Sequence, residues 1–142
     1  MTQAPQQPAP GNNEVRVVWD FTLGEADKFA ARLEDLRATM DTFEARGLKT
    51  RFAMIVRGPA TKLIAQAPPQ ATPELQKAAG RIAPLLKELA GRGVLVEQCG
   101  VALGRQGVRR EDLLSFVTVV EGSYVSIIDY AMQGYAYMPV DK

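Results

Sequence analysis

Short apolar runs alternate along the chain with longer segments in which apolar residues recur every three or four positions. The short runs predict strands and the longer segments predict amphipathic helices. The predicted strands occupy residues 15–20, 49–57, 94–96, 116–120 and 135–138, and the apolar run of the second strand is at 52–56. Because strands alternate with helices throughout, we predict an α/β fold, with a three-layer α/β/α arrangement around a mostly parallel sheet of about five strands.

The first predicted helix follows the first strand. Thr22 and Glu25 have the spacing of a capping box, in which Thr22 is the N-cap and Glu25 reaches back to it. Gly47 is placed to end this helix as a C′ glycine. Its apolar residues form one stripe, which predicts a face buried in the core. The stripe comprises Phe29, Leu33, Leu36, Met40 and Phe43.

The second predicted helix begins where Thr72 precedes Pro73, an N-cap followed by proline at the first helical position. Pro84 lies inside its pattern and cannot donate a hydrogen bond to Gly80, so we expect a kink or a break there. The segment before it is less clear, since residues 60–67 fit a short strand or a helical turn and residues 68–73 fit a loop. The apolar face of the helix comprises Leu75, Ala79, Ile82, Leu86 and Leu89.

The last predicted helix starts after the fourth strand, which we expect to be long. Ser123 is a plausible N-cap, and Gly134 ends the helix. We predict that Val125, Ile128 and Met132 form its inward face. The final strand then stops at Pro139. Shorter helical turns are predicted at residues 101–105 and 110–114.

Composition removes several classes of function. The 142 residues carry a net charge of +1, which argues against a dedicated nucleic-acid surface. The absence of histidine excludes Ser-His-Asp and Cys-His pairs and most catalytic zinc sites. A single cysteine allows neither an internal disulfide nor a cysteine-cluster metal site. We therefore expect no metal and no bound cofactor.

The sequence also gives no indication of a membrane span or a secretory signal. No apolar run approaches the roughly 20 residues that a membrane span needs. Residues 1–13 are rich in Gln, Pro and Ala and lack the features of a secretory signal. We predict a disordered tail over 1–13, a single domain over 14–142, no membrane partner and a cytoplasmic location.

The one cysteine, Cys99, falls where the third predicted strand meets a helix. In an open α/β sheet, ligands bind outside the carboxyl ends of the strands, and helix amides favour thiolate over thiol. A lone cysteine after a strand is also frequently a small packed core residue. Both interpretations of Cys99, as a reactive thiol and as a core residue, are open at this point.

Other candidate residues fall at the same predicted sheet edge. Gly100 leaves room beside the thiol, although a structural role is the simpler explanation. Arg57 could place a positive charge near the thiol, or it could be an exposed arginine at a strand end. Gly58 begins the turn that follows it. Gly122 and Ser123 open the last helix and could line a pocket, with ordinary N-capping the simpler account of Ser123.

Two further groups of charged residues are weaker candidates. Asp20 ends the first strand and is a carboxylate suitably placed for acid–base work, although helix entry explains it as well. Arg105, Arg109 and Arg110 form a small basic group with acidic neighbours. Such a group is more typical of a solvated face than of a docking patch.

Several short motifs occur along the chain in an order that resembles a known family. They are Gly58-Pro59-Ala60, Val96-Glu97-Gln98-Cys99-Gly100 with Leu103, Gly107-Val108, Asp112-Leu113-Leu114, residues 117–122, and Gln133-Gly134-Tyr135-Ala136-Tyr137. This ordered set resembles the DsrE/DsrF-like family of sulfur-trafficking proteins. The resemblance implies a five-stranded, mostly parallel sheet and assembly into trimers or hexamers. In its sulfur-transferring members it also implies a cysteine that carries persulfide sulfur, and Cys99 occupies the matching position.

We therefore predict a sulfur-relay protein that uses Cys99 as a persulfide carrier, with sulfur donor and acceptor proteins as partners. The alternative is a non-catalytic oligomer in which Cys99 is packed. A third hypothesis, a nucleotide- or anion-binding domain of flavodoxin-like shape, depends on fold analogy alone. A homo-oligomer is also favoured by Tyr135 and Tyr137, because they lie on a strand at the end of the sheet whose apolar edge would need covering.

Overall fold

The structure, a computed structural model, describes residues 13–66 and 72–142. The predicted tail, except for Asn13, lies outside the described residues. Most of the predicted loop at 68–73 lies outside them as well.

Five strands form one sheet in which every pair of neighbours is parallel. Their order across the sheet is β4-β3-β2-β1-β5. The strands are β1 (Glu14–Phe21), β2 (Lys49–Val56), β3 (Leu95–Cys99), β4 (Thr118–Val120) and β5 (Ala136–Val140). The predicted α/β class and five-stranded sheet are confirmed.

Helices cover both faces of the sheet. On one face α1 (Ala26–Ala45) packs beside α2 (Pro73–Gly91), and on the other face α4 (Ser123–Met132) packs over β1 and β2. The short helix α3 (Gly100–Gln106) follows β3 and contacts a 3₁₀ helix, Gly58–Ile64, that follows β2. The ambiguous segment at 60–67 thus begins as a 3₁₀ helix rather than a strand.

The two faces of the sheet bury very different amounts of apolar surface. Alternate residues of β1, including Trp19 and Phe21, face α1 and α2 in the main core. The opposite face has a small core of Val18, Ala53 and Ile55, against which α4 places Ile127 and Tyr130. The side of the sheet under α4 is therefore thinly covered.

The helix starts agree only in part with the predictions. The predicted Thr22 cap is wrong, because the Thr22 N–H donates to the Val140 carbonyl and continues the β1–β5 ladder. Helix α1 begins later, with Glu25 at the N-cap and without a side-chain capping bond. Thr72 does cap α2, since its hydroxyl accepts from the Leu75 N–H at 3.2 Å.

Proline affects the elements less than predicted. Helix α2 continues through Pro84 without a break. Pro84 and Gly80 are both exposed, so water can satisfy the carbonyl that loses its donor. Strand β5 likewise continues through Pro139 to Val140. Because the Val140 carbonyl points toward β1, Pro139 faces the open edge, where its missing N–H costs no ladder bond.

The orientation of α4 is the largest correction. Val125, Ile128 and Met132, predicted to face inward, are 62%, 57% and 81% exposed. The sheet side is formed instead by Ile127 and Tyr130. Both sides of this helix carry apolar residues, so periodicity alone cannot select the buried one. The fourth strand is also wrong in length, since β4 has three residues.

Candidate functional site

The carboxyl ends of β2, β3 and β4 lie at one edge of the sheet because the strands are parallel. Cys99 is the last residue of β3, Arg57 directly follows β2, and Gly122 follows β4. Helix α4 starts at this edge and then crosses the sheet. The topology therefore gathers residues that are far apart in sequence around the thiol.

A cavity of about 380 Å³ opens at this edge. Five of the six predicted site residues line it, namely Cys99, Arg57, Gly58, Gly122 and Ser123. The rest of its lining comprises Val101, Ala102, Arg105, Gln106, Tyr124 and Val125.

Gly100, the sixth predicted residue, does not line the cavity. A Cβ atom there would lie 2.9 Å from the Val120 carbonyl oxygen, closer than side chains tolerate. Gly100 is therefore needed so that the start of α3 can pack against the end of β4, a structural role.

The Cys99 thiol is buried, with 5% of the residue exposed, and belongs to the cavity wall. Burial raises its pKa, but hydrogen-bond donors lower that pKa by more, and the net shift is downward. The donors are the backbone N–H of Ala102, the hydroxyl and N–H of Ser123, and the N–H of Val101. Cys99 is the N-cap residue of α3, and its thiol makes no side-chain capping bond. The thiolate is a stronger hydrogen-bond acceptor than the thiol, so the donors stabilise mainly the thiolate.

Ser123 is therefore not the N-cap that the sequence suggested. Gly122 occupies the N-cap of α4, and Ser123 is the first helical residue, 7% exposed. Its side chain makes no capping bond to the helix end and is among the groups that lower the pKa of Cys99. The pocket-lining role considered for Ser123 is the one that its position matches.

Gln98 fixes the backbone beside the thiol. Its side-chain amide is fully buried and donates to the Cys99 carbonyl and to the Thr61 hydroxyl, both at 3.0 Å. Thr61 belongs to the 3₁₀ helix after β2. These bonds tie the end of β3 to the neighbouring segment and hold Cys99 in place.

Arg57 is neither a free charge beside the thiol nor a fully exposed arginine at a strand end, the two environments that the sequence suggested. It is half-buried and forms a two-bond ion pair with Asp20, with Nε and Nη2 each 2.9 Å from a carboxylate oxygen. Hydrogen bonding to Asp20 raises the pKa of Arg57, against the opposing effect of burial. Asp20 therefore compensates the charge of Arg57 at this edge of the sheet.

Aromatic residues contact both members of the Arg57–Asp20 pair. The Tyr137 hydroxyl donates to Asp20 at 2.5 Å, and the Arg57 guanidinium lies 5.6 Å from the centre of the Tyr124 ring. Asp20, 2% exposed, is thus occupied by two partners. It caps no helix and makes no contact with the thiol among the hydrogen bonds of the described residues.

Helix α4 is held over the sheet by a polar contact as well as by its small apolar core. The Tyr130 hydroxyl donates to the Glu97 carboxylate at 2.9 Å. Burial raises the pKa of Glu97, and the bond from Tyr130 opposes this shift. Since Glu97 lies two residues before Cys99, the contact couples the position of α4 to the strand that bears the thiol.

Sequence reasoning missed part of the lining. Arg105 was assigned to a solvated basic face, but it lines the cavity with Val101, Ala102 and Gln106. Arg105 lies four residues after Val101 and three after Ala102, and Gln106 lies four after Ala102, so these positions share one side of the helix. That spacing, counted along the helix that follows Cys99, is the signal that identifies them.

The described part of the chain offers little to hold a metal or to cross a membrane. Among residues 13–66 and 72–142, no three cysteine or acidic side chains are grouped to bind a metal ion. Within the same ranges, no helix combines the length and apolar character that a bilayer span requires.

Comparison with known proteins identifies the fold. No family model matches the sequence, and no curated protein does either. A protein of unknown function from Methanobacterium thermoautotrophicum, MTH1491, matches with a TM-score of 0.72 and 20% identity, over 89% of this chain and 99% of that one. The ychN protein from E. coli matches with a TM-score of 0.61 and 13% identity, over 91% of this chain and 99% of that one. These likenesses show that the chain has the DsrE-like fold of both proteins.

Proposed function

We propose that the protein is a cytoplasmic sulfur-relay protein of the DsrE/DsrF-like family, in which Cys99 carries sulfur as a persulfide. One observation carries the proposal: the sole thiol of the chain lies in the wall of an open cavity, among donors that lower its pKa. A thiolate is the attacking species in sulfur exchange, so this environment favours the chemistry.

The reaction needs no group beyond the thiol and its donors. The Cys99 thiolate attacks the outer sulfur of a donor persulfide, R–S–SH, and the donor leaves as the thiolate R–S⁻. Cys99 then carries –S–SH, and the proton and electron count are unchanged. An acceptor thiolate attacks the same outer sulfur and releases Cys99 as a thiolate. The hydroxyl of Ser123 and the nearby amides stabilise that leaving thiolate.

A packed structural cysteine is the second candidate, and the 5% exposure of Cys99 favours it. Alkylation by iodoacetamide separates the two. The sulfur-relay proposal expects reaction in native buffer, with a rate-against-pH midpoint below the roughly 8.5 of a free thiol. Cys99→Ser gives the background. A thiol that is inert until urea is added would instead identify a packed residue and overturn the proposal.

We also propose that the protein works as a homo-oligomer. The outward side of α4 exposes Tyr124, Val125, Ile128 and Met132, each more than half accessible. Such a row of large apolar side chains is typical of an interface. The β5 edge is less suited to pairing, because Pro139 removes a donor from it. Assembly through α4 would place another subunit beside the cavity, since Tyr124 and Val125 belong to both surfaces.

A further inference from the structure

The cavity beside Cys99 is far larger than a persulfide requires. Its volume is about 380 Å³. One added sulfur is similar in size to a water molecule, whose share of liquid volume is about 30 Å³. Pockets that bind small organic molecules begin at about 300 Å³. Most of the space is therefore available to an organic group attached to the sulfur.

The charge of the lining indicates what that group carries. Two arginines line the cavity, and its lining residues include no Asp or Glu. Asp20 compensates Arg57. Arg105 makes no hydrogen bond or ion pair with any residue in 13–66 or 72–142, and the remaining segments contain no acidic residue. One uncompensated cation therefore faces the same cavity as the thiol.

The spacing between the two groups sets the size of the ligand. Arg105 lies six residues after Cys99, so its backbone is about 9 Å further along the axis of α3 at 1.5 Å per residue. Between them the wall is apolar, formed by Val101 and Ala102. A molecule that spans this distance has the length of a modified amino acid or a short peptide.

We propose that the cavity binds a low-molecular-weight persulfide whose organic part bears a carboxylate, with the outer sulfur at Cys99 and the carboxylate at Arg105. This inference rests on the proposed sulfur-relay function and names its donor. The thiolate of Cys99 forms a bond to the outer sulfur, and the S–S bond of the donor breaks. The donor leaves as a thiolate, which takes the electron pair of that bond. A small donor is favoured over a protein donor because the thiol is almost fully buried in the cavity wall, while Arg105, at an exposed position of the same lining, can bind the carboxylate.

Two alkylating reagents of nearly equal size test the charge preference. Iodoacetate is anionic and iodoacetamide is neutral. The rate with iodoacetate is divided by the rate with iodoacetamide, both for Cys99 and for a free thiol. The ratio for Cys99 divided by the ratio for the free thiol, here called the normalised ratio, measures the local attraction for an anion. In Arg105→Gln we expect that normalised ratio to fall about fivefold, and the fall to shrink in 1 M salt. Arg110→Gln removes the same charge from outside the cavity and should leave the ratio unchanged. Equal ratios in Arg105→Gln and wild type would overturn the proposal.

A matched pair of donors then tests the substrate itself. The persulfide of N-acetylcysteine has a carboxylate, and the persulfide of N-acetylcysteine amide does not. We expect faster loading of Cys99 from the first, with the preference lost in Arg105→Gln and kept in Arg110→Gln. Equal loading from both donors, or loading only from a protein persulfide, would overturn the small-anion donor and leave the relay function standing. A thiol that reacts with none of these reagents would overturn the relay function as well.

Discussion

Replacing Arg57 with methionine should leave the Asp20 carboxylate buried without its ion-pair partner. Asp20 is 2% exposed, and its two oxygens each lie 2.9 Å from an Arg57 nitrogen. Breaking a fully buried ion pair by removing one partner costs about 3–5 kcal/mol. The Arg57 side chain is 29% exposed and the bond from Tyr137 remains, so screening by water reduces the expected loss to about 2–3 kcal/mol. Methionine keeps most of the aliphatic stem, which limits the change in packing.

Urea unfolding followed by the fluorescence of Trp19, the single tryptophan, measures this loss. A second arginine provides a matched control, because Arg109 forms the same two-bond pair with Asp112 at 3.0 Å for both bonds. Those side chains are 70% and 41% exposed, so Arg109→Met should unfold like the wild type. The reasoning is refuted if Arg57→Met is as stable as the wild type, or if both variants lose the same stability.

Two further predictions concern α4. Burial raises the pKa of Glu97, which means that folding favours its protonated form. The protonated form therefore stabilises the folded state at low pH, and this stabilisation is lost as pH rises through the raised pKa. Glu97→Gln keeps an acceptor for Tyr130 without the charge; we expect a higher urea midpoint at pH 7 and no gain below about pH 4, where the glutamate is protonated. A lower midpoint at pH 7 would contradict this. Ile128→Lys places a charge on a side chain that is 57% exposed, so it should lower the mass measured by light scattering while the circular dichroism spectrum stays that of the folded protein. Because the partner subunit stabilises the fold, the melting temperature should then fall and lose its dependence on protein concentration. Ala38→Lys, at an exposed position on the opposite helix layer, should leave the mass unchanged. An unchanged mass for Ile128→Lys would remove α4 from the interface.

The sheet and the location of the site could be predicted from sequence because they depend on local patterns. Apolar runs that alternate with helical stripes require parallel strands, and parallel strands bring their carboxyl ends to one edge. Cys99, Arg57 and Ser123 were therefore placed together without knowledge of the strand order.

The details that failed depend on contacts between distant residues. Arg57 and Asp20 are 37 residues apart, and only the β1–β2 register shows that they pair. Thr22 has the spacing of a cap, but the arrival of β5 gives its N–H a strand partner instead. The orientation of α4 is set by the packing of Ile127 and Tyr130 against Val18, Ala53 and Ile55 of the sheet, a contact that periodicity does not describe.

Sulfur loading at Cys99 tests the central claim most directly. Native protein and Cys99→Ser are incubated with a persulfide donor, freed of excess donor, and compared by intact-mass spectrometry. We predict that the wild type gains about 32 Da, one sulfur, that a reductant reverses the gain, and that Cys99→Ser shows none. A wild-type protein that gains no sulfur, or a serine variant that gains as much as the wild type, would contradict the account.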